Sequence, residues 1–323
     1  MKAFAEQVRL TLTLSDTLNG RQIWTERFDR VISDVALFEL QDELVGLVAS
    51  KIASSYGALS LNEYQNIKHK ALSSLNSYEA RLVYLDYLVK MSPANLERTI
   101  GMFEHLNQTL PDGEARGLAI LAQLYCDQYL LGQAELEGAL ERSKQCIAKA
   151  MDIDPQNVEV LLAQAWWALL SGDDRLVKVS TEAILELNPS SSYTLSAASW
   201  LCYLSGHFEF SVSVLQQSLI KLPVSPNWLK LVFAMDTVRQ GNIEPLSEFL
   251  VATQFEDNFV QLIFVALIYQ WAGEERLAKK HWHMASKLHV ETRQTAERLI
   301  NHVIISDELS RHFNDALQAL LTQ

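Results

Sequence analysis

Glycine and proline are scarce in this chain, at 12 and 7 of 323 residues. Glycine is thus at about half of its average usage of roughly 7%. With both punctuating residues rare, a fold of many short strands and tight turns is excluded, as are a collagen-like repeat and a low-complexity disordered chain. Cysteine is nearly absent too: Cys126, Cys146 and Cys202 are odd in number, widely spaced and form no CxxC. That excludes a disulfide framework and a structural zinc site, and points to a reducing, cytoplasmic compartment. Basic residues are outnumbered, 27 Lys and Arg against 39 Asp and Glu, for a net charge of −12. The longest basic run is Lys279–Lys280, so a direct nucleic-acid partner is excluded. Long apolar runs are missing as well. Val260 to Ala272, interrupted by Gln261 and Gln270, falls about one third short of the ~20 residues that span a bilayer. Met1–Phe4 runs into a charged, alternating segment rather than the apolar core of a signal peptide. No membrane partner is expected.

What is present is a period. Pro155, Pro189 and Pro223 stand 34 residues apart, and so do Gly172 and Gly206; Gly241 follows 35 residues later and Gly273 32 after that. Each of these glycines separates two apolar stretches, and each proline follows the second. The pattern is a helix, a turn, a second helix and a stop. Seven residues before the turn glycines stand Ala165, Ser199, Ala234 and Ala266, all small, as two closely packed antiparallel helices require.

These positions resemble the tetratricopeptide repeat. Val158–Pro189 and Ser192–Pro223 are the clearest copies. Where that family favours a second alanine, the chain has Val177, Ser211, Leu246 and Ala278, and only the last agrees. Asn227–Gln254 lacks the closing proline, and Gly117–Pro155 fits with about six extra residues in its hairpin. Tyr78–Asp112 is a weaker pair whose second helix opens at Ser92–Pro93, a cap followed by proline at the first helical position. The fold expected is mainly α: a tetratricopeptide-like α-solenoid of helix pairs over residues 78–323, closed by a capping helix at Ser306–Leu321 and preceded by a short N-terminal β-hairpin plus helix. An unrelated helix-pair solenoid of the same period is the alternative. In either, each pair buries its faces only against its neighbours.

The first 57 residues differ. Val8, Leu10, Leu12 and Leu14 alternate with Arg9, Thr11 and Thr13, the period of a half-buried strand. Asn19–Gly20 marks a hairpin turn, and Gln22–Phe28 reads as the second strand, with bulky Ile23 and Trp24. Val35 to Tyr56 has helical spacing and ends at Gly57, a C′ glycine by position. A lone hairpin is marginal, so residues 1–57 read as the C-terminal part of an α/β domain, with 58–77 a helical linker. The run NGRQIWTERFDRVISDVALFELQDELVGLVASKI resembles the closing segment of the TolB-like domain of bacterial signalling proteins, on Gly20, Trp24, Glu26, Arg27, Asp29, Arg30, Asp34, Leu40, Gln41, Asp42 and Glu43. Phe28 and Leu44 depart from it. The resemblance implies tetratricopeptide repeats downstream. It also implies an effector upstream, such as a class III adenylate cyclase, a winged-helix regulator of the CadC type or a Ser/Thr kinase. The missing half-domain is then a partner in cis or in trans.

Catalytic candidates are few. The cluster Glu26, Arg27, Asp29 and Arg30 is read as local salt bridges after the second strand, with a ligand contact as the alternative. Asp42 and Glu43 are helix neighbours and point apart. His281 and His283 lie about 200° apart around a helix, and His289 is two turns from His281, so they do not share a metal. No GxGxxG, Walker A, GxSxG or HExxH occurs. No enzyme, metal or cofactor is expected. The expected activity is non-enzymatic binding: a sensory or regulatory scaffold of a bacterial signalling protein that holds a peptide or helix in an apolar concave groove. The inward positions that make the groove are Leu162, Trp166, Leu169, Tyr193, Trp200, Tyr203, Trp228, Leu231 and Met235. Trp166 and Trp200, 34 apart, share one register. The other reading of these rings is that they pack between helices or against the N-terminal piece. A second functional reading is the regulatory C-terminal portion of a truncated or split cyclase or winged-helix regulator.

Overall fold

The computed structural model describes residues 6–32, 45, 48, 51–52, 57–109, 114–188, 191–221, 228–251 and 258–322. The chain is mainly α, with one short antiparallel sheet at its N-terminus. Strand β1 (Glu6–Ser15) pairs with β2 (Gln22–Ile32), and Leu10 stands opposite Phe28 and Leu14 opposite Trp24. This row is the sheltered face, and Phe28 on it is buried. On the other face Arg9 Nε donates to Asp29 at 2.6 Å, and the Thr13 and Thr25 hydroxyls meet at 2.7 Å.

Three expectations change here. The Glu26–Arg30 cluster lies inside β2 and not after it, because the Arg9–Asp29 cross-strand pair continues the ladder. The connection is a six-residue loop, Asp16–Arg21, instead of a two-residue turn. The Asp16 carboxylate draws it in, accepting from Leu18 N–H and the Asn19 amide, while Gly20 supplies φ +70°. Gly57 is not a left-handed terminator. It is extended and opens the next helix, and glycine is needed because a Cβ would come within 2.6 Å of the Ile52 carbonyl oxygen. Of the helix expected at 35–56, Val45, Val48, Lys51 and Ile52 are helical; the rest lies outside the described residues.

Among the described residues after Gly57, fifteen α-helices follow. They are α1 (Ala58–Ile67), α2 (Ser77–Val89), α3 (Pro93–Thr109), α4 (Ala115–Leu130), α5 (Leu136–Ile153), α6 (Val158–Ser171), α7 (Asp174–Leu187) and α8 (Ser192–Leu204). Then come α9 (Phe208–Lys221), α10 (Leu229–Arg239), α11 (Leu246–Val251), α12 (Phe259–Trp271), α13 (Glu275–Leu288), α14 (Thr292–Arg298) and α15 (Asp307–Leu321). A π-helical turn, Leu299–Val303, continues α14.

Polar caps start several helices. Asn157, Ser191, Asn258 and Ser306 each accept a backbone N–H in the first turn of α6, α8, α12 and α15. Glycine ends α6: Gly172 has φ +77°, and Asp173 N–H reaches back to Ala168 O at 2.9 Å. The small residues Ala165, Ser199, Ala234 and Ala266 are all buried. Ser199 shows why size matters there, since its hydroxyl meets Ser211 Oγ at 2.8 Å and Ser211 O at 2.9 Å across the α8–α9 contact.

The helices divide into two kinds. α6 and α12 are apolar nearly all round and mostly buried, which places them inside. α7 buries only Val177, Ser180, Thr181 and Ile184, a single stripe, and α13 only Ala278 and Ala285, which places them outside. Distant parts of the chain are also joined. Asn258 Nδ2 donates to Leu88 O at 3.0 Å, Arg298 reaches Leu130 O, and Ile305 N–H donates to Leu204 O at 3.0 Å. The segment after α13 therefore folds back over the inner helices.

Candidate functional site: an aromatic chamber on the inner helices

The inner helices surround a cavity of about 160 Å³. Tyr84 and Leu88 of α2, Gln123 and Asp127 of α4, Leu162 and Trp166 of α6, Tyr193 and Trp200 of α8, Trp228 and Leu231 at α10, and Phe264 of α12 line it. Leu299 and Val303 of the π turn complete the wall.

Of the nine residues expected to line a groove, six line this chamber: Leu162, Trp166, Tyr193, Trp200, Trp228 and Leu231. The three tryptophans are half-buried and the other three are buried. Trp200 is the hub. It meets Trp228 edge-on at 6.2 Å and Phe264 edge-on at 5.0 Å between ring centroids. Leu169, Tyr203 and Met235 do not reach the chamber and are buried in the core. The Tyr203 hydroxyl turns instead to the Asp236 carboxylate, which also takes Arg239 at 3.0 Å.

The chamber's polar end was not among the sequence candidates. Asp127 is 3% exposed. Its two oxygens accept from Tyr87 Oη at 2.9 Å and Trp166 Nε1 at 3.1 Å. Burial pushes its carboxyl up to about 7, against the lowering effect of those two donors. One turn earlier on the same helix, Gln123 Oε1 accepts from Tyr84 Oη at 3.1 Å, while Gln123 Nε2 has no partner. The sequence signal for this end is a lone acid in the apolar run of α4, LAILAQLYCDQYL.

Elsewhere chemistry is quiet. Cys126 and Cys202 are buried, and burial pushes their thiols up to about 12 and about 11, so neither offers a thiolate at neutral pH. His281 lies flat on Tyr269, and His289 meets the Phe259 ring. Burial lowers the pKa of both histidines. Among the described residues no three His, Cys, Asp or Glu side chains are grouped to hold a metal ion. No described helix is long and apolar enough to cross a membrane.

No protein-family profile matches the chain, and no curated protein matches it at a significant level.

Proposed function

We propose that this chain is a non-enzymatic interaction scaffold: a tetratricopeptide-like α-solenoid, cytoplasmic, that serves as the sensory or regulatory part of a bacterial signalling protein. The observation that carries the reading is the chamber, where aromatic rings from four inner helices, α2, α6, α8 and α12, converge with Trp228 on a single space. The 34-residue spacing of turn glycines and the buried small residues seven positions earlier support the repeat assignment. The cavity is close in size to the ~150 Å³ space that accepts one benzene. A partner peptide or helix therefore anchors one bulky group there rather than lying along the inner wall, part of which Leu299 and Val303 already cover.

The test is partner capture from the native host by the wild-type chain and by Trp200→Leu and Trp166→Phe variants. Both variants are expected to keep the helical circular dichroism signal and to lose the partner that the wild type enriches. Equal enrichment by all three sinks the chamber as the binding site.

The N-terminal hairpin favours a second reading, the regulatory C-terminal portion of a class III adenylate cyclase or winged-helix regulator. Among the described residues its two strands pair only with each other, and such a hairpin is marginal alone. An in-frame effector in the DNA upstream of Met1 supports this reading, and a promoter directly before Met1 overturns it.

A further inference from the structure

We propose that the chamber binds a small organic cation that carries a hydrogen-bond acceptor. The proposal rests on the binding-scaffold reading above and names the chemistry of its site.

Three features of one space point to that ligand. The first is the cage. Tyr84, Trp166, Tyr193, Trp200, Trp228 and Phe264 line a cavity of about 160 Å³. Aromatic faces carry negative charge density and attract cations, most strongly where water is excluded. The second is Asp127. A buried carboxylate ordinarily sits beside a cation, because burial without one is costly. Among the described residues no Lys, Arg or His forms an ion pair with Asp127; its partners are a phenol and an indole. A carboxylate has about four lone-pair sites, so two hydrogen bonds leave it open to a charge in the chamber. The third is Gln123 Nε2, a buried donor in the chamber wall with no partner. Such a donor is available to an acceptor atom that enters the chamber. Carboxylate and donor stand one turn apart on α4, which suits a cation and an oxygen separated by a short linker.

Neighbouring groups leave the cationic role vacant. Arg81 lies over Tyr193, 6.0 Å from the ring centroid, but is 3.5 Å from Glu159, which uses its charge. Tyr84 and Tyr87, the titratable groups that face Asp127 from α2, have pKa values raised well above their usual range by burial and stay neutral. Cys126 on α4 is likewise neutral. Asp127 is therefore the group that titrates near neutral pH at this site, and proton and cation compete for it.

The test uses choline and its uncharged isostere 3,3-dimethylbutan-1-ol, titrated calorimetrically into the full chain at pH 8. Choline is expected to bind at least about tenfold more tightly than the alcohol. Asp127→Asn is expected to shrink that difference several-fold, leaving only what the rings supply, and Gln123→Leu to weaken choline several-fold while keeping the difference. Lowering the pH to 5.5 is expected to weaken choline but not the alcohol. Equal binding of the two probes overturns the cation and leaves an apolar site, and an unchanged preference in a folded Asp127→Asn variant overturns Asp127 as the counter-charge. Binding of neither probe overturns the chamber as a small-molecule site. The partner-capture experiment is decided separately by whether the tryptophan variants lose their protein.

Discussion

At the scale of single residues, Asp127 makes the stability of the fold depend on pH. An unfolded aspartate titrates near ~3.9, whereas burial raises this one to about 7. Between those values the folded chain holds a proton that the unfolded chain has lost. Stability from this group is complete below about 4 and declines as pH rises through about 7. Glu159 is also raised by burial and acts in the same direction, so the contribution of Asp127 is read by difference. The urea midpoint of the wild type is expected to fall between pH 5 and pH 8. Asp127→Asn is expected to fall less and to be the more stable protein at pH 8, by an amount on the order of 2–4 kcal/mol. The reverse order at pH 8 refutes the assignment. The residue pattern was only partly legible. Ala165, Ser199, Ala234 and Ala266 could be picked out because close helix packing demands smallness at a fixed distance from a turn. Asp127 could not, because its surroundings come from Tyr87 and Trp166, 40 and 39 residues away in the chain.

At the scale of elements, two turn glycines separate local strain from tertiary fit. Gly172 has φ +77° and open space around a built Cβ. Gly172→Ala is expected to cost about 1–2 kcal/mol, the left-handed penalty alone. Gly132 has φ +74°, and a Cβ there would run into the Glu291 carboxylate and the Arg298 guanidinium. Those two groups pair at 3.3 Å where α14 folds back over α4. Gly132→Ala is expected to cost the same left-handed penalty plus only the displacement of these two flexible side-chain ends, so slightly more than Gly172→Ala in urea denaturation; a loss several-fold larger refutes that freedom of the Glu291–Arg298 pair. The helix pairs from α6 onward were readable because glycine, proline and caps mark their ends. α14 and the π turn were not: residues 289–305 contain neither glycine nor proline. Their burial is decided by contact with α4, α6 and α12 rather than by local pattern. The sheet shows the same division. Alternation identified its faces correctly, but the Asp16 side chain, and not the Asn–Gly pair alone, sets the loop.

At the scale of the whole molecule, α15 is a cover. Phe313 is fully buried and meets Phe264 and Trp271 edge-on, each at 5.9 Å. Removing residues 306–323 strips the layer packed behind Phe264, which itself lines the chamber. The shortened chain is expected to show a lower melting temperature and to bind a hydrophobic dye that the full chain excludes; an unchanged melting temperature refutes the role of α15. The 34-residue period announced a row of like units, and in such a row each unit answers only to the next. The Asn258–Leu88 hydrogen bond breaks that rule, joining residues 170 positions apart. A plain row under tension peels from one end, a unit at a time. A row whose α2 is tied to the start of α12 shares part of that load across the tie, and the stretch between the two helices is held at both ends until the tie breaks.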